Sequence, residues 1–283
     1  ERCPQRNICT YTLEIGQREW VLRAVPPVGY FNVTGPRGST YVLLMGLLLT
    51  GGLVTFIFFR QRHLEEVERL ADRVQKEKEN ADRLLLNILP EPVAEELKQD
   101  GEADPVHHGS ATVLFADFVD FTRKAERLSA DTLIDELHHL FSVFDRIVEH
   151  HGLEKIKTIG DAYMAAGGVP AHSDTHAEDC VRAGLDMVRY LQAFNRRRAD
   201  ERAQGAAASD DPPVQWALRV GISTGPLIAG VIGTAKFTYD VFGDTVVTAS
   251  RMESSGVPGR VNIFGVTREH IYGSFECEAR GKI

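Results

Sequence analysis

The sequence predicts an α+β fold that is preceded by a transmembrane helix and a parallel coiled coil. Three observations support this prediction. An apolar segment without charge occupies residues 41–59, a heptad pattern follows it, and strand and helix patterns alternate from residue 110 onward.

The composition is ordinary for a globular chain of 283 residues, with 43% hydrophobic and 25% charged residues. The formal net charge of −8 and a pI near 5.7 argue against nucleic acid as the main partner. Four cysteines are too few for a disulfide scaffold. The chain is therefore long enough for more than one domain, and nucleic acid is not its expected main partner.

Residues 1–36 contain two strand-like runs, CTYTLEIG and REWVLRAV, and then a stretch rich in proline and glycine. These residues are too few for a stable domain. We therefore expect them to be the end of a longer extracytoplasmic sensor module.

The segment YVLLMGLLLTGGLVTFIFF is 19 residues long and carries no charge. As a helix it would be about 28 Å long, close to the hydrocarbon thickness of a bilayer. The alternative is a core helix, which normally shows a polar face, and here only two threonines supply one. We predict a single transmembrane helix over residues 37–60. Basic residues are more frequent after it than before it, so the positive-inside rule places the remainder in the cytoplasm.

A heptad seam follows the span and predicts a coiled-coil helix over residues 61–100. Small or apolar residues recur at alternating steps of three and four, with one polar break at Lys78; the seam consists of Leu64, Val67, Ala71, Val74, Lys78, Ala81, Leu85 and Ile88. The alternative is a single amphipathic helix on a domain surface. Pro90 and Pro92 interrupt the pattern, and a short helix is expected before Gly101.

We predict a folded domain over residues 101–283, after the coiled coil. ATVLFADF reads as a strand, and SADTLIDELHHLFSVFDRIVEHH as a helix capped by Ser129. LEKIKTIGDAYMAAGGV is typical of two strands joined at a turn, Gly160-Asp161.

Thr175 and Glu178 have the spacing of a capping box, which predicts a helix running to about Arg202. GAAASDDPP is a loop, VQWALRVGIST and PLIAGVIG are two strands, and DTVVTASRMESS begins a helix. The βαββαβ order with an added hairpin is typical of the ferredoxin-like fold.

Two carboxylates follow strands in this part of the chain. Asp117 ends a strand and Asp161 lies at a hairpin tip. If those strands are neighbours, the two like charges repel each other unless divalent cations lie between them, and Mg²⁺ suits such oxygen ligands. The turn FVDFT presents N–H groups to which phosphates bind. For either aspartate alone, a turn or cap role is the alternative.

Five blocks resemble the catalytic domain of the class III nucleotidyl cyclases: FADFVDFT, EKIKTIGDAYM, LRVGISTGPLIAGVIG, YDVFGDTV and ASRMES. They occur in the family's order over about residues 108–283. ADRLLLNILPEPVAEELK is similar to the transducer helix of membrane-bound relatives, and residues 1–36 resemble weakly the end of a CHASE-type sensor.

The resemblance implies a role for each matching residue. Asp117 and Asp161 match the aspartates that bind two Mg²⁺, for which Mn²⁺ substitutes, and the carbonyl of Phe118 matches a ligand of the second ion. Lys157 and Asp240 match the pair that reads adenine. Further implied residues are the transition-state arginine, Arg251, and substrate contacts at Phe118, Val119, Phe121 and Thr122.

In this family the metal aspartates come from one chain, and the purine-reading pair and the arginine come from the other, so a homodimer is implied. The expected protein is a membrane-anchored adenylate cyclase that makes cyclic AMP from ATP under the control of an outer sensor. A guanylate cyclase is disfavoured, because GTP-specific relatives carry Glu and usually Cys in place of Lys157 and Asp240.

Three departures from the family pattern stand out. Asp120 replaces a usual glycine. Val247 occupies the position of an asparagine that contacts the ribose. The alternatives are a natural loss of the asparagine, an engineered change, and compensation for the missing amide by Thr245 or Thr248. The chain ends before the strand pair that carries a phosphate-binding lysine, and Lys282 is not an evident substitute. The alternative function is a weak or inactive regulatory domain that binds nucleotide.

Overall fold

The computed structural model describes residues 9–15, 18–24, 36–204, 214–233 and 236–281. The chain divides into two compact units, residues 1–79 and residues 80–283.

The first unit contains a β-hairpin and most of a long helix. Strands β1 (Cys9–Ile15) and β2 (Arg18–Ala24) pair in antiparallel register, as the two strand-like runs predict. Helix α1 (Pro36–Leu86) is continuous over 51 residues. In the described part of the chain it is the one helix long and apolar enough to cross a bilayer.

The second unit begins within the last turns of α1 and contains the remaining elements, in the following order. These are α2 (Glu91–Asp100), β3 (Val106–Phe118), α3 (Phe121–Ala125), α4 (Ala130–His150), β4 (Glu154–Ile159), β5 (Ala162–Gly167), α5 (His176–Ala203), β6 (Leu218–Ile232), β7 (Thr238–Phe242), α6 (Asp244–Ser254), β8 (Val261–Ile263) and α7 (Gly265–His270).

The six strands of the second unit form one sheet. Its order is β4-β5-β3-β6-β7, and β8 pairs with β6 in parallel. The other pairings are antiparallel. The first four strands of this order and helices α4 and α5 have the topology of the ferredoxin-like fold, and β7 adds the hairpin. The predicted α+β core is therefore confirmed.

Each face of the sheet has its own hydrophobic core. The face covered by α4 and α5 buries large side chains, among them Leu114, Phe118, Phe144, Met187 and Leu218. On the other face, Leu89, which precedes α2, and Ala94, which lies within it, pack with Val113, Phe115 and Val241. The segment that leads into the domain thus contacts the sheet directly.

Several local predictions are confirmed. The Ser129 side chain accepts a hydrogen bond from the amide of Thr132 and caps α4. The β4–β5 hairpin turns at Gly160, whose φ of +63° favours glycine. Helix α2 ends at Gly101, which is also left-handed.

Two local predictions are wrong. VQWALRVGIST and PLIAGVIG contribute to one strand, β6, because Pro226 lies where the pairing with β3 shifts register and no ladder N–H is needed. The capping box at Thr175 does not form. Its hydroxyl donates instead to Asp179, and Glu178 pairs with Arg182.

Candidate functional site

Asp117 and Asp161 lie together at one end of the sheet. Asp117 is the penultimate residue of β3, and Asp161 lies in the turn between β4 and β5. Because Ala116 faces Tyr163 in the β3–β5 ladder, the turn and the end of β3 are neighbours. The two carboxylates are close enough to share a hydrogen bond when one is protonated.

The surroundings of Asp117 disfavour its charged form. Burial and then the negative charge of Asp161 raise the pKa of Asp117 from 3.8 to about 6, and Glu253 adds to the rise. The guanidinium of Arg219 acts in the opposite direction. A cation between the two carboxylates would relieve this repulsion, because it favours both charged forms.

Arg219 is a site residue that the sequence analysis missed. It lies opposite Asp117 in the β3–β6 ladder, and its Nη2 donates to Asp117 Oδ2 at 3.1 Å. Its Nε donates to Glu253 Oε1 at 2.8 Å. The available signal was a charged residue within the otherwise apolar run LRVGIST, but the identity of its partners depends on strand register.

The turn after Asp117 rests on a cluster of aromatic rings. Phe118 is buried, and its ring lies 5.3 Å from that of Trp216. Phe121 stacks on Trp216 at 5.8 Å. The amide of Val119 donates to the carbonyl of Ala217, so this N–H is engaged within the sheet region. Phe121 and Thr122 begin the five-residue helix α3.

Asp120 has a left-handed backbone, with φ 54° and ψ 37°. Among the described residues it is the one non-glycine residue with positive φ. Aspartate tolerates this conformation better than most residues, because its short polar side chain bonds locally. The backbone at this turn therefore has a conformation that glycine adopts without steric cost.

We expect Asp120→Gly to leave stability unchanged or to raise it by up to about 1 kcal/mol, because glycine adopts positive φ without steric cost. Asp120→Val should lower stability by about 1–2 kcal/mol, since a β-branched residue clashes in this region. Thermal unfolding of the purified chain measures both effects. As a control, Asp131→Gly in the first turn of α4 should destabilise. Equal losses of stability from Asp120→Gly and Asp131→Gly would contradict this account.

Lys157 and Asp240 form an ion pair between β4 and β7. The Lys157 ammonium bonds Asp240 Oδ2, and Asp240 Oδ1 accepts from the amide of Val241. The Asp240 side chain is 11% exposed, whereas that of Lys157 is 34% exposed. A register shift between Lys155 and Lys157 sends the two lysines to different partners, and Lys155 pairs with Asp145.

Helix α6 presents Val247 and Arg251 to solvent. Val247 is 50% exposed, and Arg251 lies one turn further along the same exposed face. Thr245 is buried, and its hydroxyl donates to the carbonyl of Pro226 at 2.7 Å. Thr245 is therefore engaged, and of the two threonines that would compensate for Val247 only Thr248 stays a candidate.

The chemistry of the Asp117–Asp161 pair fits Mg²⁺. Among the residues that the structure describes, no cluster of three or more His, Cys, Asp and Glu side chains is arranged to hold a metal ion. Mg²⁺ does not require such a cluster, because it is usually bound by one or two carboxylates together with substrate phosphates and water. Lys282 lies outside the described residues.

Comparison with known proteins identifies the family. The model of the adenylate and guanylate cyclase catalytic domain matches residues 104–283. An adenylate cyclase of Mycobacterium tuberculosis is 37% identical over 248 residues, which cover 87% of this chain and 52% of that protein. Guanylyl cyclase C of Cavia porcellus is 35% identical over 78% of this chain and 20% of its own length.

A solved structure has the same fold. The adenylyl cyclase CyaB from P. aeruginosa aligns with a TM-score of 0.56 and 28% identity, over 64% of this chain and 88% of that chain. The chain spans about half or less of the length of the two sequence relatives. These relatives include cyclases of both substrate classes. The chain belongs to the adenylate and guanylate cyclase family, the class III nucleotidyl cyclases.

Proposed function

We propose that the chain is a homodimeric adenylate cyclase, anchored in the cell membrane, that converts ATP to 3′,5′-cyclic AMP and pyrophosphate. The observation that carries the proposal is the pairing of Asp117 and Asp161 at one end of the sheet. The Lys157–Asp240 pair supports adenine as the base.

Asp117, Asp161 and the Phe118 carbonyl would hold two Mg²⁺ ions, with Mn²⁺ as a substitute. When bound, the ions supply neutralising charge to the triphosphate and lower the pKa of the ribose hydroxyl. The 3′-oxygen attacks the α-phosphorus while its proton passes to solvent water, and the bond in line with the attack, from the α-phosphorus to the bridging oxygen of the leaving pyrophosphate, breaks. Arg251 would stabilise the charge that develops on the α-phosphate oxygens.

The adenine is read by hydrogen bonds of matching polarity. The Lys157 ammonium donates to adenine N1, and the Asp240 carboxylate accepts from the exocyclic amine. The two side chains now bond each other, so substrate binding exchanges one ion pair for two contacts with the base. Because Val241 fixes one oxygen of Asp240, the carboxylate keeps its orientation during this exchange.

The exposed position of Arg251 supports a site shared between two chains. On α6 the arginine lies on the solvent face, together with Val247. In the proposed dimer this face meets the Asp117–Asp161 pair of the other chain. The seam of α1 is also exposed, with Leu64, Val67 and Val74 at 52%, 49% and 64%, and pairing with a second copy would cover it. The hairpin β1–β2 would lie outside the membrane.

The base preference provides the experiment. The chain in detergent, with Mg-ATP or Mn-ATP, should form cyclic AMP with a higher kcat/KM than cyclic GMP from the matching GTP complex. Lys157→Glu combined with Asp240→Cys should shift the ATP/GTP ratio by at least about 100-fold toward GTP, because a polar site left unpaired rejects its former substrate. Lys155→Glu, which breaks the pair with Asp145, is the control and should keep the ratio. Faster turnover of GTP by the parent chain would contradict the assignment.

A second candidate function is a regulatory domain that binds nucleotide with little turnover. Val247 favours it, because a valine side chain neither donates nor accepts a hydrogen bond. ATP binding without cyclic AMP formation, in the parent chain and after Val247→Asn, would select this candidate.

A further inference from the structure

Glu253 reaches the candidate metal site through one arginine. Arg219 uses two of its five N–H donors in a bridge, from Nε to Glu253 at 2.8 Å and from Nη2 to Asp117 at 3.1 Å. The side chains of Glu253, Asp117 and Arg219 are 11%, 20% and 26% exposed. The bridge is therefore largely shielded from water.

Close packing fixes the backbone that carries Glu253. A Cβ atom at Gly221 would lie 1.9 Å from the amide nitrogen of Glu253, so α6 contacts β6 at a distance that only glycine permits. The Asn262 side chain also donates to the carbonyl of Met252 at 2.8 Å. The Glu253 side chain therefore extends from a fixed point of the α6 backbone. Its hydrogen bond from Nε of Arg219 helps to fix the position of the guanidinium.

Arg251 and Glu253 are two residues apart on α6 and lie on opposite faces. Arg251 is exposed, whereas Glu253 is buried against β6. In the dimer of the proposed function, on which this inference rests, Arg251 serves the other chain's site. Glu253 contacts only the site of its own chain, through Arg219.

We propose that Glu253 is a positioning residue that holds Arg219 against Asp117 of its own chain, so that α6 serves both sites of the dimer. The Arg219–Glu253 pair is neutral as a unit, and it gives Asp117 a hydrogen-bond donor without adding net charge to the metal site. Loss of Glu253 leaves Arg219 unneutralised beside Asp117, where its positive charge competes with the metal ion.

A dimer with one complete site tests this proposal. One tagged chain carries Asp117→Asn and supplies Lys157, Asp240 and Arg251. The other, with a different tag, carries Arg251→Ala and supplies Asp117 and Asp161. Dimers that carry both tags are purified, and Glu253→Met is then placed in either chain.

Glu253→Met in the chain that supplies Asp117 should lower kcat by about tenfold, the lower end of the range for losing a hydrogen-bond partner of a metal ligand, because Glu253 acts on Asp117 through Arg219. The same change in the chain that supplies Arg251 should cost less than about twofold in kcat, because its own carboxylates are outside the working site. Glu253→Gln, which keeps an oxygen for the Arg219 Nε–H, should recover part of the loss. Glu269→Met on exposed α7 is the control.

Equal losses in both placements would show that Glu253 merely supports α6 and would overturn the proposal. No loss in either placement would also overturn it. If the mixed dimer with Glu253 intact makes no cyclic nucleotide, the proposed function is wrong. The Mn²⁺-binding test below then still decides the role of Glu253.

Mn²⁺ binding, followed by electron paramagnetic resonance without nucleotide, gives a readout apart from activity. Glu253→Met should weaken Mn²⁺ affinity by about tenfold, the lower end of the range for such partners. Adding Arg219→Met should restore the affinity, because the pair is then removed as a neutral unit. Unchanged affinity in the single variant, or a further loss in the double variant, would contradict the proposal.

Discussion

Replacing Val247 by asparagine is expected to raise the kcat for cyclic AMP formation by on the order of 100- to 1000-fold, which is the range for one transition-state donor. Val247 lies on the exposed face of α6 with Arg251, and Thr245 is bonded to Pro226. An amide at position 247 would reach the ribose from the same face that presents Arg251. KM should change little, since the interaction is made in the transition state.

Ser250→Asn, on the same exposed face, is the matched control for this prediction and should leave kcat within about twofold. If the parent is already active and Val247→Asn adds little, another group compensates, and Thr248 is the candidate. A rise of similar size with Ser250→Asn would contradict the specific role of position 247.

Asp161→Asn is expected to lower kcat by on the order of 1000-fold, because a metal ion contributes several kcal/mol of charge stabilisation and each 1.4 kcal/mol is a factor of ten. Asparagine keeps the size of the side chain and removes its charge. It also removes the repulsion that raises the pKa of Asp117, so the apo protein should become slightly more stable. Activity and thermal unfolding should therefore move in opposite directions.

Asp174→Asn provides the control for this second prediction, because Asp174 is exposed and its carboxylate pairs only with His172 among the bonds that the structure shows. Its activity should match that of the parent. An Asp161→Asn protein that loses activity together with stability would indicate a structural role in the hairpin turn.

The sequence predicts the elements of the site whose causes are local. Asp117 lies at the end of an apolar strand, Gly160 permits the turn that places Asp161, and Ser129 caps the helix that follows β3. Each of these features depends on a few neighbouring residues. The ferredoxin-like order follows in the same way, because strand and helix periods alternate along the chain.

Other features depend on the register between strands or on the sign of a backbone φ angle, and the sequence does not predict them. Arg219 meets Asp117 because β3 and β6 pair in one particular register. The left-handed conformation of Asp120 and the continuation of β6 past Pro226 arise from the sheet around them. The hydrophobic pattern of a strand indicates which side chains face the core, but it does not identify the residue that lies opposite each one on a strand about 100 residues away.

The most direct test of the central claim, a cyclase site shared between two copies of the chain, is the activity of the mixed dimer. Asp117→Asn and Arg251→Ala chains are each expected to be inactive alone. Mixed in equal amounts, about half of the dimers would contain both chains, and each of these would hold one complete site, so about a quarter of the parent's cyclic AMP formation should return. If neither chain is active alone and the mixture is also inactive, while the parent makes cyclic AMP, the shared site is wrong.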